Sequence, residues 1–275
     1  MSAAQAKIAL ITGGGSGIGR GIALALVRRG VQVALVGRRE AALSAVVAEI
    51  AALGGRAVAF PADLAQPSER LGLPERVQRT LGPLDLLVNN AGVLAGGALA
   101  TLTPAQIEAA VAVNLVAPMV LTRQFLPDLA ARQGAVILLG SMMSFVPLPA
   151  ASVYSASKMG LRGFGAALRS ELSQHTIRLL TVYPPGTATA MTATMARNAP
   201  FRTPLASPEL IGERIVVALE AGRREVQWGA GERLLTLAHH LLPGLVRPLL
   251  ARSHATFAHM LSEPAAGEPR LDAGQ

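Results

Sequence analysis

A doubly wound α/β fold, one parallel sheet of about seven strands with helices on both faces, is what this 275-residue sequence predicts. Two observations carry the prediction. Short runs that are apolar throughout alternate with longer stretches of helical spacing, and a strand without a polar side is one buried on both faces. No linker rich in proline, serine or glycine divides the chain and no internal repeat occurs, so the alternation belongs to a single domain.

The elements follow in order. Residues 8–12 form a compact apolar strand, and the helical pattern at 19–29 stops at Gly30. A second strand at 31–36 leads to a helix at 40–53 ended by Gly54 and Gly55, then a third strand at 57–61. A helix at 69–81 is stopped by Gly82 and Pro83 before a fourth strand at 84–89. Residues 104–132 read as one long helical region, with Thr103 as N-cap and Pro104 at the first helical position. A fifth strand at 135–139, a helix at 152–174, a sixth strand at 177–183, a helix at 208–222 and a short last strand at 225–228 complete the pattern. The α/β domain is accordingly expected over 1–231, a helical extension over 232–262 and a frayed polar tail over 263–275.

Composition narrows the function. Hydrophobic residues make up 51% and charged residues 15%, which suits a large core and excludes a tail-dominated chain. Cysteine is absent, which excludes disulfides, zinc-thiolate sites and thiol catalysis and fits a reducing, cytoplasmic setting. The net charge of +8 is almost all arginine, because Lys7 and Lys158 are the only lysines. No compact basic run interleaves with aromatics, so nucleic-acid binding is not expected; an anionic cofactor accounts more economically for some of the charge. Met1 to Lys7 lead straight into a strand without the basic-then-apolar order of a signal peptide, and no run of 18 apolar residues predicts a transmembrane helix.

Between the first strand and its helix lies TGGGSGIG, Thr12 to Gly19, with Gly13, Gly17 and Gly19 as the spaced glycines and Ser16 and Ile18 between them. Strand, glycine turn and helix is the setting in which backbone N–H groups and a helix N-terminus hold a pyrophosphate. The strict G-x-G-x-x-G spacing is absent, so the context carries the reading rather than the pattern. The second strand ends Val36-Gly37-Arg38-Arg39-Glu40. No carboxylate occupies the strand tip, and two guanidiniums oppose the following helix dipole unless an anion joins them. Arg38 and Arg39 therefore favour a 2′-phosphate, hence NADP(H) over NAD(H), with Glu40 a few residues late for a ribose carboxylate.

The acid/base candidates lie further on. Tyr154 and Lys158 in SVYSASK are four apart and share a helix face, and the chain has only two tyrosines and two lysines. A neighbouring ammonium would lower a phenol pKa that is otherwise near 10, which gives the pair a reason to move protons. Ser141 follows the fifth strand at the carboxyl edge, where such sheets bind ligands. Pro118, four residues past Asn114, cannot donate to the Asn114 carbonyl, which predicts an irregular helix there.

With these residues in place the chain resembles the short-chain dehydrogenase/reductase family, whose members have a Rossmann-type fold, over about Lys7 to Trp228. TGGGSGIG matches its TGxxxGxG, Asp63-Leu64 its adenine-contacting pair, Asn89-Asn90-Ala91-Gly92 its NNAG motif, and Pro185-Gly186 its turn after the sixth strand. Asn114, Ser141, Tyr154 and Lys158 match its catalytic tetrad. The resemblance implies that Tyr154 exchanges a proton with the substrate oxygen, that Lys158 holds the nicotinamide ribose and depresses the Tyr154 pKa, and that Ser141 polarises the carbonyl. It implies that Asn114 positions a water linking Lys158 to solvent, that Asn90 and the backbone near Ala188 meet the ribose and nicotinamide, and that no metal is needed. Ala91 and Gly92 join the cofactor site on the same grounds. Two departures stand out: Gly140-Ser141 where the family often has Ser-Ser, and Thr187-Ala188-Thr189-Ala190 after the proline-glycine turn.

The expected activity is a carbonyl reductase or alcohol dehydrogenase in a homodimer or homotetramer, acting on a small and hydrophobic substrate. Met142, Met143 and Phe145 motivate the apolar substrate, as does the stretch 187–205 with Met191, Met195 and Phe201, which the resemblance implies is a mobile lid over substrate. A non-catalytic NADP(H)-binding regulator and a sugar-nucleotide epimerase or dehydratase are the competing classes; the intact tetrad opposes the first and the chain length the second. In the extension, leucine-rich pieces interrupted by Pro243-Gly244 and Pro248 pack on the domain or another subunit, or else lie on a membrane surface, with packing favoured.

Overall fold

The computed structural model describes residues 6–192 and 205–262; the predicted tail, Met195 and Phe201 lie outside these. Strands Ile8–Thr12 (β1), Gln32–Gly37 (β2), Ala57–Pro61 (β3), Leu86–Asn89 (β4), Ala135–Leu139 (β5), Arg178–Tyr183 (β6) and Glu225–Gln227 (β7) form one parallel sheet in the order β3-β2-β1-β4-β5-β6-β7. The helices are Gly17–Val27 (α1), Glu40–Ala52 (α2), Pro67–Leu81 (α3), Pro104–Val111 (α4), Ala117–Ala131 (α5), Ser152–Ser173 (α6), Pro208–Glu220 (α7), Ala230–Leu241 (α8), Pro243–Arg252 (α9) and His254–Ser262 (α10). The strand order runs outward in opposite directions from the β1/β4 pair, so a crevice opens at the carboxyl ends of those strands.

β1 shows why its sequence has no polar side. Ala9 and Ile11 join a core with Ile22 and Leu26 of α1 and Ile211 and Ile215 of α7. The alternate residues Ile8 and Leu10 join the opposite core, with Leu121 and Phe125 of α5 and Leu161 of α6. Each large side chain so removed from water contributes about 1.5–3 kcal/mol. Part of the arginine charge is spent locally: Arg29, in the turn after α1, bridges Glu213 and Glu220 of α7 at 2.6 and 2.8 Å.

The region read as one helix over 104–132 is three pieces. Between α4 and α5 lies a π turn, Ala112–Val116, in which the Ala117 N–H reaches back five residues to the Ala112 carbonyl. Pro118 is the physical reason, since it withholds the donor that a regular helix would offer to Asn114. The whole stretch Pro104–Ala131 is long and apolar enough to cross a membrane by composition. Its apolar residues Leu121, Phe125 and Leu129 are spent against the sheet.

Element ends moved by one or two residues elsewhere. α3 starts at Pro67 rather than 69 because proline is well placed in a first helical turn. In the extension, Pro248 does not break α9 as expected. It removes one bond, to the carbonyl of Gly244, and both residues are exposed, so water can take the donor's place.

Candidate active site

A cavity of about 1150 Å³ occupies the crevice and contains both the glycine loop and the candidate acid/base residues in its walls. At one end, Gly13 turns the chain with φ +68°, and its N–H and that of Gly14 both donate to the Val36 carbonyl. α1 then starts from an extended Ser16 that makes no side-chain cap bond, although a serine there ordinarily satisfies a first-turn N–H. Gly17 and Ile18, in that uncapped first turn, line the cavity. An anion is the partner these donors lack, so the loop fits a dinucleotide pyrophosphate. Ser16 Oγ instead accepts from Arg39 Nη2 at 3.4 Å, and Arg38 and Arg39 are both exposed at the cavity edge. Asp63 and Leu64 line the same end, where Asp63 Oδ1 accepts from the Ala65 N–H.

Gly19 is not in the wall. It lies behind the loop, where a Cβ would overlap the Gly13 carbonyl oxygen and Asn90 Nδ2. It shapes the site by letting α1 close on the loop rather than by contact with a ligand.

The second motif is tied to the first through Thr12, whose importance the pattern alone did not signal. Its buried Oγ1 accepts from the N–H groups of Asn90 and Ala91, both at 2.9 Å. Asn90 Nδ2 returns to the Thr12 carbonyl at 2.8 Å, so this amide holds the glycine loop in place while Asn90, Ala91 and Gly92 line the cavity. Asp85 is a second unanticipated clamp: buried, it accepts from the Lys7 and Ile8 N–H groups and fixes the entry to β1.

Tyr154 and Lys158 rise from the first two turns of α6 on its cavity face, with Lys158 Nζ 5.7 Å from the Tyr154 ring centroid. Both are buried, and Nζ donates to the Leu139 carbonyl at 2.9 Å. Burial pushes the Lys158 ammonium down to about 8. The expected lowering of the Tyr154 phenol by Lys158 is not found in the protein alone: burial raises it, and hydrogen bonding with Ser141 pulls it down by less.

Ser141 follows β5 in extended conformation; its N–H donates to Ser144 Oγ and its own Oγ accepts from the Met143 N–H, which aims the hydroxyl into the cavity beside Tyr154. Asn114 stands behind the wall, fully buried. Its Oδ1 accepts from the Val93 N–H, and its Nδ2 donates to the Val93 carbonyl and to Ser157 Oγ, whose hydroxyl donates to the Tyr154 carbonyl. The side chain is therefore committed to positioning α6, and only its backbone is left for a water.

Pro185 and Gly186 line the cavity, but Ala188 does not. The Ala188 N–H donates to the Ala206 carbonyl at 2.9 Å, closing a small bridge that consumes the donor expected to reach the nicotinamide. Met191 and Thr189 of the same loop are in the wall.

The far end is apolar and comes largely from the C-terminal helices. Leu235, Leu250 and Phe257 face Leu94, Met142, Met143 and Leu148, and Leu261 of α10 packs in the cluster that contains Tyr154. Of the alternatives left open for the extension, packing on the domain holds for these inner faces. Phe145 is turned away, against Tyr183 at 4.5 Å between ring centroids. Among the described residues no group of acidic, histidine or cysteine side chains could hold a metal.

A family model described as short chain dehydrogenase matches residues 7–200. The chain is 32% identical over 228 residues to the ketoacyl reductase HetN of Nostoc sp., covering 82% of this chain and 79% of that protein. It is 30% identical over 271 residues to SadH of Mycobacterium tuberculosis, covering 94% and 98%. The crystal structure of a short chain dehydrogenase from Burkholderia cenocepacia in complex with NADP superposes with a TM-score of 0.72 at 30% identity, covering 82% of this chain and 98% of that one.

Proposed function

The chain belongs to the short-chain dehydrogenase family of oxidoreductases, and from that premise we propose that it interconverts a hydrophobic ketone or aldehyde with its alcohol, using NADP(H). The observation that carries the reading is the convergence, in one cavity, of an uncapped glycine-loop helix, an arginine pair, a half-buried Ser141 and the buried Tyr154–Lys158 pair. The complex of the Burkholderia relative with NADP supports the same cofactor.

When bound, the dinucleotide supplies or accepts the hydride. Gly17, Ile18 and the rest of the loop backbone would hold its pyrophosphate, and Ser16, Arg38 and Arg39 its 2′-phosphate. Asp63 and Leu64 would meet the adenine and Lys158 the ribose. In reduction, the Ser141 hydroxyl donates to the carbonyl oxygen while the Tyr154 hydroxyl passes its proton to that oxygen as the carbon gains hydride. Burial keeps the phenol protonated at neutral pH, which suits an acid in the reductive direction. Alcohol oxidation needs the phenolate and would gain rate as pH rises. The apolar far wall excludes water and favours an apolar substituent on the substrate. In family members that form a homodimer or homotetramer the same site is repeated per subunit, and we take this chain to do likewise.

The test is NADPH oxidation against a panel of steroid, fatty-acyl, sugar and small aromatic ketones, with Tyr154→Phe beside the native chain. The variant is expected to lose about 10³-fold in kcat while NADPH binding changes by less than about threefold. Turnover retained in Tyr154→Phe would remove the proton-transfer role, and no turnover of any carbonyl by the native chain would remove the reaction.

A further inference from the structure

Helices α8 and α9 are apolar on two sides. Their inner faces close the cavity through Leu235 and Leu250. On the outside, Leu234, Leu237 and Leu241 follow the i, i+3, i+7 spacing along α8, and Leu242, Leu245 and Leu249 repeat it into α9. These six leucines are 54–68% exposed. Together they expose apolar surface on the order of 600 Å², as much as the largest apolar patch of a chain without a partner ordinarily shows.

The surroundings of the patch are cationic. The one carboxylate of α8 and α9 is Glu232, which lines the cavity, and Arg233, Arg247 and Arg252 are exposed. Among the described residues none of the three forms a salt bridge; Arg233 donates to the Gln227 carbonyl, so Arg247 and Arg252 are the cations best placed to meet an anion. A second copy set face to face would bring these arginines against their own kind, with the single carboxylate of the two helices, Glu232, held in the cavity wall. Phosphate headgroups would receive them directly.

Geometry selects lying over crossing. The two helices meet at 117°. Helices of 12 and 10 residues span only about 18 and 15 Å, well short of the roughly 30 Å hydrocarbon core. We propose that the outer face of α8–α9 docks on the surface of an anionic lipid bilayer, with the leucines in the headgroup–acyl boundary and the arginines on lipid phosphates. Docked so, the apolar wall of the cavity stands one helix thickness, about 10 Å, from the lipid. This membrane contact is independent of the redox chemistry and can be measured without turnover.

The full-length chain would be floated with vesicles of phosphatidylcholine alone and of phosphatidylcholine containing about 30 mol% phosphatidylglycerol. Flotation is expected with the anionic vesicles and at least about fivefold less with the neutral ones. Leu237→Glu/Leu245→Glu, at exposed positions, should reduce it about tenfold with unchanged circular dichroism and NADPH binding. Arg247→Glu/Arg252→Glu should reduce it likewise without altering a leucine. A native chain that stays at the bottom with both vesicles overturns the proposal, as does a leucine variant that floats like the native chain. A lipid-free mass that falls on replacing Leu237 and Leu245 assigns the face to a second copy and also overturns it.

Discussion

At the glycine-loop end of the cavity the ligand surface is glycine-rich backbone, held in place by hydrogen bonds of Thr12 and Asn90 and edged by the Ser16, Arg38 and Arg39 side chains, whereas at the far end it is a set of leucine, methionine and phenylalanine side chains from segments that meet only in the folded chain. In the glycine loop a Cβ added at Gly13, Gly14 or Gly19 would come closer than 3 Å to neighbouring atoms, so the loop has little room for side chains. The far end is assembled from interchangeable apolar volume, so it can change specificity without loss of structure. The contrast suits the proposed pairing of a dinucleotide with an apolar carbonyl substrate.

The largest effect that would break this contrast is expected at Gly19. Gly19→Ala drives a Cβ into the Gly13 carbonyl and Asn90 and should cost about 3 kcal/mol in unfolding experiments, with NADPH binding lost. Gly244→Ala, with nothing near it on α9, should change stability by less than about 1 kcal/mol.

Next in size is the pH dependence of the protein without cofactor. The folded pKa of Lys158, about 8, lies below the unfolded value near 10.4, so between these pH values the unfolded chain binds more protons. Stability should therefore rise from pH 8 toward pH 10, by about 2 kcal/mol, and be lost again as pH falls through 8. Denaturant titrations should show the slope in the native chain and its absence in Lys158→Met. Tyr154, with its pKa raised, acts only above its unfolded value near 10, where it reverses the trend.

A smaller effect is expected at the cavity edge. Arg38→Ala should weaken NADPH about tenfold and NADH by less than about twofold in fluorescence titrations. Equal losses would remove the 2′-phosphate assignment. The smallest is at the far end, where Phe257→Ala should raise KM for bulky apolar ketones about threefold with kcat nearly unchanged. A collapse of kcat there would show that the apolar wall positions the reacting carbonyl and would erase the contrast.

Much of the fold was legible because its signals are local. Apolar strands bounded by glycine, and a proline placed to disturb the helix at Asn114, each act within a few residues of where they are written. The candidate tetrad and the glycine loop could be located in the sequence as ordered motifs. The roles within them could not: Gly19 and Asn114 stand behind the cavity, and the Ala188 N–H is consumed by Ala206. Thr12 and Asp85 passed unnoticed because their partners are 78 and 77 residues away.

By itself the sequence determined the alternation of elements, the family and the residue types that can carry the chemistry, since backbone conformation and side-chain functional groups are properties of short segments. Tertiary structure alone decided that Tyr154 and Lys158 are both buried, which shifts one pKa up and the other down. It also decided that the leucines of the last helices divide between a cavity wall and an open face. Desolvation and exposure depend on what packs from elsewhere in the chain, and no local pattern encodes that.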